Sequence, residues 1–502
     1  MLDEFWNEWR EGGIHVRDHL QFELKSEFII NPTLQKNIYK QELYLFIPSP
    51  LQINKDTYGK GQFYLDQTNL IRYKTPTMSM QELIEPSFFL SPLNRIQTLI
   101  STSDLNKNEI EIIDELKLFG NIFKAALRES FFHISESMDK SQATDKILLN
   151  SSIEALCQEI KKVCAFYRNI QFSNSPLLSR QLKHYFRYTD EYISDGIEEY
   201  GIVVLKQLRT DEMELNTAET TLCELLVHEK EYRHRHTLES KASDRTFNEA
   251  ILYRQGLLNR FMLEALKLNS FRSSLEEKHG NILGAFAAGI AMFVYMMLLF
   301  WHTSGFVINS YPFIMFAVIF YILKDRLKEG LKKIYYKQAY RWFPDYSTNI
   351  LTPKNFKIGH LTENFTIIDQ KQLPPGFLDI RNQHFNEELL ALNRHETIIQ
   401  YKQEVTLYRQ PETLENRRRE LTMIFRLNIH YFLLRASNAL QPYILLDPKT
   451  KSMTERLLPK VYHLNIIIKN SYLQNNLVPK SEIKKFRVVI DKAGIKRVEE
   501  IK

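Results

Sequence analysis

Residues 280–323 read GNILGAFAAGIAMFVYMMLLFWHTSGFVINSYPFIMFAVIFYIL and contain no Asp, Glu, Lys or Arg. A helix needs about 20 apolar residues to cross ~30 Å of hydrocarbon. The stretch is too long for one crossing and suits two, and the polar interruption His302-Thr303-Ser304-Gly305 falls where a turn between them belongs. The reading predicts a transmembrane hairpin with helices near 282–301 and 306–323. Gly284 with Ala288, and Ala285 with Gly289, are small residues at helical spacing that let two backbones pack closely. A buried hairpin of a soluble protein is the bland alternative; it fits poorly, because a soluble core helix is seldom apolar on every face.

The flanks set the orientation. Lys324, Arg326, Lys328, Lys332, Lys333, Lys337 and Arg341 follow the hairpin against only Asp325 and Glu329, and Arg272 and Lys278 precede it. Positive charge is retained on the cytoplasmic side, so both termini are expected to be cytoplasmic. Trp301, Tyr311 and Trp342, with Lys324, Arg326, Lys328, Lys332 and Lys333, are the expected contacts with the membrane interface. The fold class this implies is α+β, predominantly helical: an integral, multi-pass membrane protein with a two-helix transmembrane hairpin between two cytoplasmic regions.

Outward from the hairpin, five regions follow. Residues 1–100 carry short apolar runs (Phe28–Ile30, Leu43–Ile47, Phe63–Leu65, Leu70–Tyr73) separated by Pro, Gly and Asn, the pattern of strands and turns in a small mixed domain. Residues 101–279 read as a helical bundle ending in a long amphipathic helix. Leu215, Ala218, Leu222, Leu225, Glu229 and Tyr232, then Ile251, Arg254, Leu258, Phe261, Ala265, Leu268, Arg272 and Leu275, recur three and four apart. Arg254 and Arg272 in that seam favour a bundle with a polar contact over a two-stranded coiled coil. Helices within 211–278 are candidates for homo-oligomer or protein-partner contact, and the last is expected to feed the first span. Residues 280–323 are the hairpin, 324–345 a basic juxtamembrane helix, and 346–502 an α+β domain. In that last region Thr397–Tyr408 and Val461–Lys469 read as strands, Pro411–Ser437 as a helix, and Phe486–Ile501 as a closing hairpin turning at Gly494.

The composition agrees with a folded chain: 502 residues, 44% hydrophobic, with 16 Gly and 17 Pro. Three cysteines (Cys157, Cys164, Cys223) exclude a disulfide framework or a four-thiolate zinc site within one chain. The net charge of +6 divides into −7 over residues 1–323 and +13 over 324–502. Two explanations compete: the basic part faces an anionic lipid leaflet, or it docks on the acidic part. Nucleic acid is a weaker reading of Arg417-Arg418-Arg419 and Lys484-Lys485, because no helix-turn-helix, zinc-finger or RNP pattern accompanies them.

Chemistry leaves little trace. No GxxxxGK[ST], GxSxG, HExxH or CxxC occurs. His228, His234 and His236 with Glu229 and Glu231 are the nearest approach to a metal set, but on one helix His228 and His234 diverge by about 240°. No catalytic, cofactor or metal residue is assigned, and no family resemblance is found. The functional expectation is a membrane-anchored scaffold or signal-coupling protein, not an enzyme, with the lipid bilayer as one partner. The alternatives are an oligomerising pore-forming effector and a membrane-tethered enzyme with its site in 346–502.

Overall fold

The computed structural model describes residues 13–274 and 344–501 and isolated residues between 285 and 330; positions 32, 102–104, 141–145, 211–215, 237, 239–247, 354, 384–395, 410–416, 447, 449–450 and 475–477 are not described. The chain begins with strands β1 (Gly13–Asp18), β2 (Gln21–Ile29) and β3 (Lys36–Pro48), a short helix α1 (Lys60–Asp66) and strand β4 (Gln67–Tyr73). Helices follow: α2 (Met80–Ile84), α3 (Pro92–Ser101), α4 (Leu105–Lys140), α5 (Lys146–Ser173), α6 (Arg180–Thr210), α7 (Asn216–Arg235) and α8 (Asn248–Leu263). Strands then resume with β5 (Asn269–Ser274), β6 (Tyr346–Leu351) and β7 (Lys357–Ile368), helix α9 (Phe377–Asn382), β8 (Glu396–Tyr408) and β9 (Glu420–Asn428). Helix α10 (His430–Leu434), β10 (Leu440–Leu446), β11 (Met453–Pro459), β12 (Tyr462–Gln474), β13 (Val478–Asp491) and β14 (Gly494–Ile501) complete it.

The two ends of the chain build one body. An eight-stranded antiparallel sheet runs β14-β13-β12-β3-β8-β7-β6-β5, and a four-stranded one runs β1-β2-β9-β4. N-terminal β3 thus lies between C-terminal β8 and β12, and C-terminal β9 lies between β2 and β4. The expected separate domains at 1–100 and 346–502 are therefore interleaved. Strand alternation explains the layering. Leu43, Leu45 and Ile47 of β3 face the space between the sheets with Phe22, Leu24, Phe425, Leu427, Leu464 and Val488. Tyr44 and Phe46 face the other way, onto Ile398, Ile467 and Phe377 of α9. The sheets are pinned at both corners. Ile495 N–H donates to His19 O at 2.8 Å, and Arg72 bridges Lys267 just before β5. Pinning both corners protects strand edges that would otherwise be open.

The helices α2–α8 pack on one end of this body. Phe28, Ile30, Leu361, Val405, Leu407, Leu421 and Met423 share a single apolar cluster with Phe119, Phe123, Ile160, Tyr167 and Leu222. Ion pairs reinforce the joint: Arg417 reaches both Glu115 oxygens at 2.6 Å, and Arg418 reaches Asp114 at 2.7 Å.

Several expectations need correction. The described chain is 49% helical and 33% strand, so large sheets share the fold with the helices. Among the described residues no helix is long and apolar enough to cross a membrane. That overturns the integral membrane hairpin and with it the multi-pass, two-span localisation. A charge-free count measures apolarity alone, whereas a span also requires an unbroken helix of about 20 residues. Much of 282–301 and 306–323 lies outside the described residues. Nor does a long helix feed that region: α8 ends at Leu263, a 3₁₀ turn occupies Glu264–Leu266, and Leu268 and Arg272 belong to the approach to β5 and to β5 itself. Pairing of Asn269–Ser274 with β6 overrides the helical spacing there. Phe63–Leu65 is helical, in α1, and Glu420–Asn428 is strand β9 rather than helix.

Candidate functional site

Strands β10 and β11 form a sheet of their own, paired from Leu440↔Pro459 to Leu446↔Met453. Its root is anchored. Lys460 N–H donates to Ala439 O at 2.8 Å, Ser437 N–H to Tyr462 Oη at 3.0 Å, and Lys492 Nζ to Ala436 O at 2.9 Å. Beyond the root every residue of both strands is exposed. Directly opposed residues share a face. One face therefore carries Leu440, Pro442, Ile444, Leu446, Met453, Leu457 and Pro459, with Glu455 its single charge. The other carries Gln441, Tyr443, Leu445, Thr454, Arg456 and Leu458. Ile444 is 66% exposed, Leu457 60% and Met453 75%, so large apolar side chains stand in water. An isolated two-stranded hairpin is marginally stable at best in water, and a contiguous apolar patch of this kind marks an interaction surface.

The hairpin sits at the end of the body remote from the helices. From that same end the segment 275–345 leaves and returns: Ser274 of β5 pairs Tyr346 of β6, and the bundle-facing Ile350 lies further along β6. The described residues between 285 and 330 are helical and nearly all exposed, among them Phe286, Phe293, Met297 and Ile319.

Two largely buried polar networks hold the body, each with one arginine that reaches the surface. In the first, Glu363 of β7 accepts from Tyr401 Oη at 2.5 Å, Asn69 Nδ2 at 2.8 Å and Gln67 Nε2 at 3.2 Å, and Arg272 Nε lies 3.2 Å from its second oxygen. Burial, then the Glu363 charge, pushes the Tyr401 phenol well above its ordinary range, so it stays a donor. Arg272 also stacks on Tyr346 and Tyr64, at 4.0 and 4.8 Å, which clasps both stems of the 275–345 segment.

The second network threads the helices. Arg168 of α5 grips both oxygens of Glu229 on α7 at 2.9 and 2.7 Å and reaches Asp190 of α6 at 3.1 Å. Tyr232 donates to Asp190 at 2.7 Å, Ser194 donates to Glu229 at 2.8 Å, and Arg233 pairs with Glu198. Arg254 of α8 grips Glu191 at 2.5 and 2.7 Å. The seam residues Ala218, Leu222 and Leu225 are fully buried inside this bundle.

The expected interface and packing residues are scattered by comparison. Gly284, Trp301, Lys324, Lys332, Lys333 and Trp342 lie outside the described residues. Ala285, Gly289 and Tyr311 are exposed, Ala288 and Lys328 half-buried, and Arg326 pairs with Glu329 on the surface at 3.4 Å. A Cβ built on Gly289 would meet nothing within 4 Å. Arg417 and Arg418 of the basic cluster pair with Glu115 and Asp114 of α4. The hairpin has a signal in the sequence. LQPYILL and MTERLLP flank Asp447-Pro448-Lys449-Thr450-Lys451-Ser452, two strand-like runs around a turn. Nothing in those residues says that they stay uncovered.

No known protein family, no characterised protein and no solved structure matches the chain.

Proposed function

We propose that this protein is a scaffold that docks a partner protein through the apolar face of the β10–β11 hairpin. The carrying observation is a rigidly rooted hairpin whose large apolar residues pack on nothing. Fully burying each would contribute about 1.5–3 kcal/mol, enough together to hold a specific complex. Pro442 interrupts one edge and Pro459 ends the other, and proline lacks the N–H that strand addition needs. The partner therefore meets the face, not the edge. Glu455 lies within the apolar row opposite Ile444. A second copy in the same pose would bring like carboxylates together, so the partner is a different protein that offers an apolar strip and one Lys or Arg.

The test places a photocrosslinking amino acid at position 444 and then reconstitutes the adduct from purified components. The expected result is one protein adduct, formed again in vitro, weakened by Glu455→Arg and restored when the partner's basic residue is exchanged for an acid. Adducts only to a second copy, or indifference to Glu455→Arg, would overturn the reading.

A further inference from the structure

Strand β7 continues past its last partner on β6: Tyr346 pairs Glu363, and residues 364–368 have only β8 beside them. On the uncovered edge Phe365 N–H donates to Asp345 Oδ2 at 2.8 Å. By strand alternation the N–H of Ile367 faces the same open side. Against this edge lies a cavity of 810 Å³, walled by Lys55, Tyr58, Gly59 and Lys60 on one side and by Asn364 to Ile368, Gln372, Gln400 and Lys402 on the other. That volume lies within the range of small-molecule sites.

Its polar lining points one way. Lys60 is held by Asp345 at 3.0 Å. Lys55 and Lys402 are exposed and make no ion pair among the described residues. Asn364 and Gln372 have their oxygens occupied, by the N–H of Asp345 at 3.1 Å and of Asp369 at 3.2 Å, which leaves both NH₂ groups as donors. Gln400 gives its NH₂ to Tyr44 Oη at 2.8 Å. Asp345 is the acid at the wall, with one carboxylate oxygen on Lys60 and the other on the Phe365 N–H; across the sheet Glu42 stands opposite Lys402 and Lys469 and accepts from Tyr44. The Lys55 and Lys402 ammonium groups, two amide donors and the Ile367 N–H thus face a space whose adjoining carboxylate, Asp345, is already engaged.

We infer that this groove binds a phosphorylated small molecule. A phosphate supplies the acceptor oxygens that the lining lacks, and charge-assisted hydrogen bonds are the stronger kind. The side chains present can hold and orient such a ligand, and they offer no nucleophile–base pair to turn it over. The inference stands apart from the hairpin reading, since the groove and the hairpin share no residue.

Calorimetric titration of the full chain with pyrophosphate tests it. Saturable one-to-one binding is expected, with Lys55→Gln and Lys402→Gln each weakening it about tenfold. Lys469→Gln, which removes an equal charge from the same sheet face outside the groove, is expected to leave affinity unchanged. All three are substitutions outside the apolar core, and circular dichroism confirms that each variant is folded. Absence of binding to the wild-type chain overturns the inference. So does equal weakening by Lys469→Gln, which would mean diffuse attraction rather than a site.

Discussion

Arg168 shows how one side chain sets the balance of a buried network. Its guanidinium faces two carboxylates whose acidities move in opposite directions. Burial acts to raise Glu229, but the Arg168 hydrogen bonds and charge outweigh it and leave the carboxyl below its ordinary value. At Asp190 burial prevails over the same arginine and the carboxyl stays above its ordinary value. The signs follow from linkage. The depressed Glu229 gives stability that is present above its unfolded pKa and is lost as pH falls through the folded one. The elevated Asp190 works the other way, because acidification relieves an ionised group that burial disfavours. Arg168→Met strands both charges, and breaking a buried pair by removing one partner costs about 3–5 kcal/mol. Urea midpoints are expected to show that full loss at pH 7 and a clearly smaller one at pH 5, where both acids take up protons more readily. An equal loss at the two pH values would contradict the assignment. The sequence went some way towards this site. Glu229, Tyr232 and Arg254 stood at seam positions, and Arg254 with Arg272 pointed to a polar contact, of which Arg254 makes this one while Arg272 lies in β5; Arg168, Asp190 and Glu191 sit on helices whose approach no spacing along the chain encodes.

At the scale of elements, the terminal turn carries a sharp prediction. Asp491 accepts from the N–H groups of Ala493 and Gly494, at 2.8 and 3.1 Å, and Gly494 has φ +143. A Cβ there would stand 2.3 Å from His19 O, the atom that Ile495 N–H reaches to close a corner of the body. Gly376 is a useful contrast, with φ +80 and nothing within 4 Å of a built Cβ. Ala at position 376 pays only the dihedral cost of roughly 1–2 kcal/mol, whereas Gly494→Ala adds a backbone clash and is expected to lower the thermal midpoint distinctly more. Equal shifts would show that the corner is not closed as described. This closing hairpin was legible, as were β3, β8 and β12, because β-branched and aromatic residues there are bounded by clear turn signals. Strand β9 was not. Leu421–Phe425 is buried throughout, with Met423 packed toward the helices and Phe425 toward the inter-sheet core. A continuous apolar run of that kind has no period to read.

The described strands and helices form a single body made by both chain ends, with the helices inserted between β4 and β5 and the apolar segment falling in sequence between β5 and β6. Sequence order hid this arrangement, since β3 pairs with β8 across 348 residues at Pro48↔Glu396 and 372 at Lys36↔Tyr408, and no local pattern records such a partner. The same blindness misled the reading of residues 280–323: composition reports how apolar a stretch is, not which element it forms. At this scale the body and the surface divide the labour. The sheets and helices are held by cores and buried polar networks of their own, while the β10–β11 hairpin adds no residue to either core. Its ends already meet through the Lys460 N–H to Ala439 O bond, so residues 440–459 can be replaced by a short glycine-rich turn without opening the body. The decisive measurement compares that variant with the intact chain in thermal unfolding and in binding to the partner identified by crosslinking at position 444. An unchanged melting temperature with binding abolished is the predicted result. A collapsed melting temperature, or a partner still bound, would contradict the claim that the hairpin exists to dock.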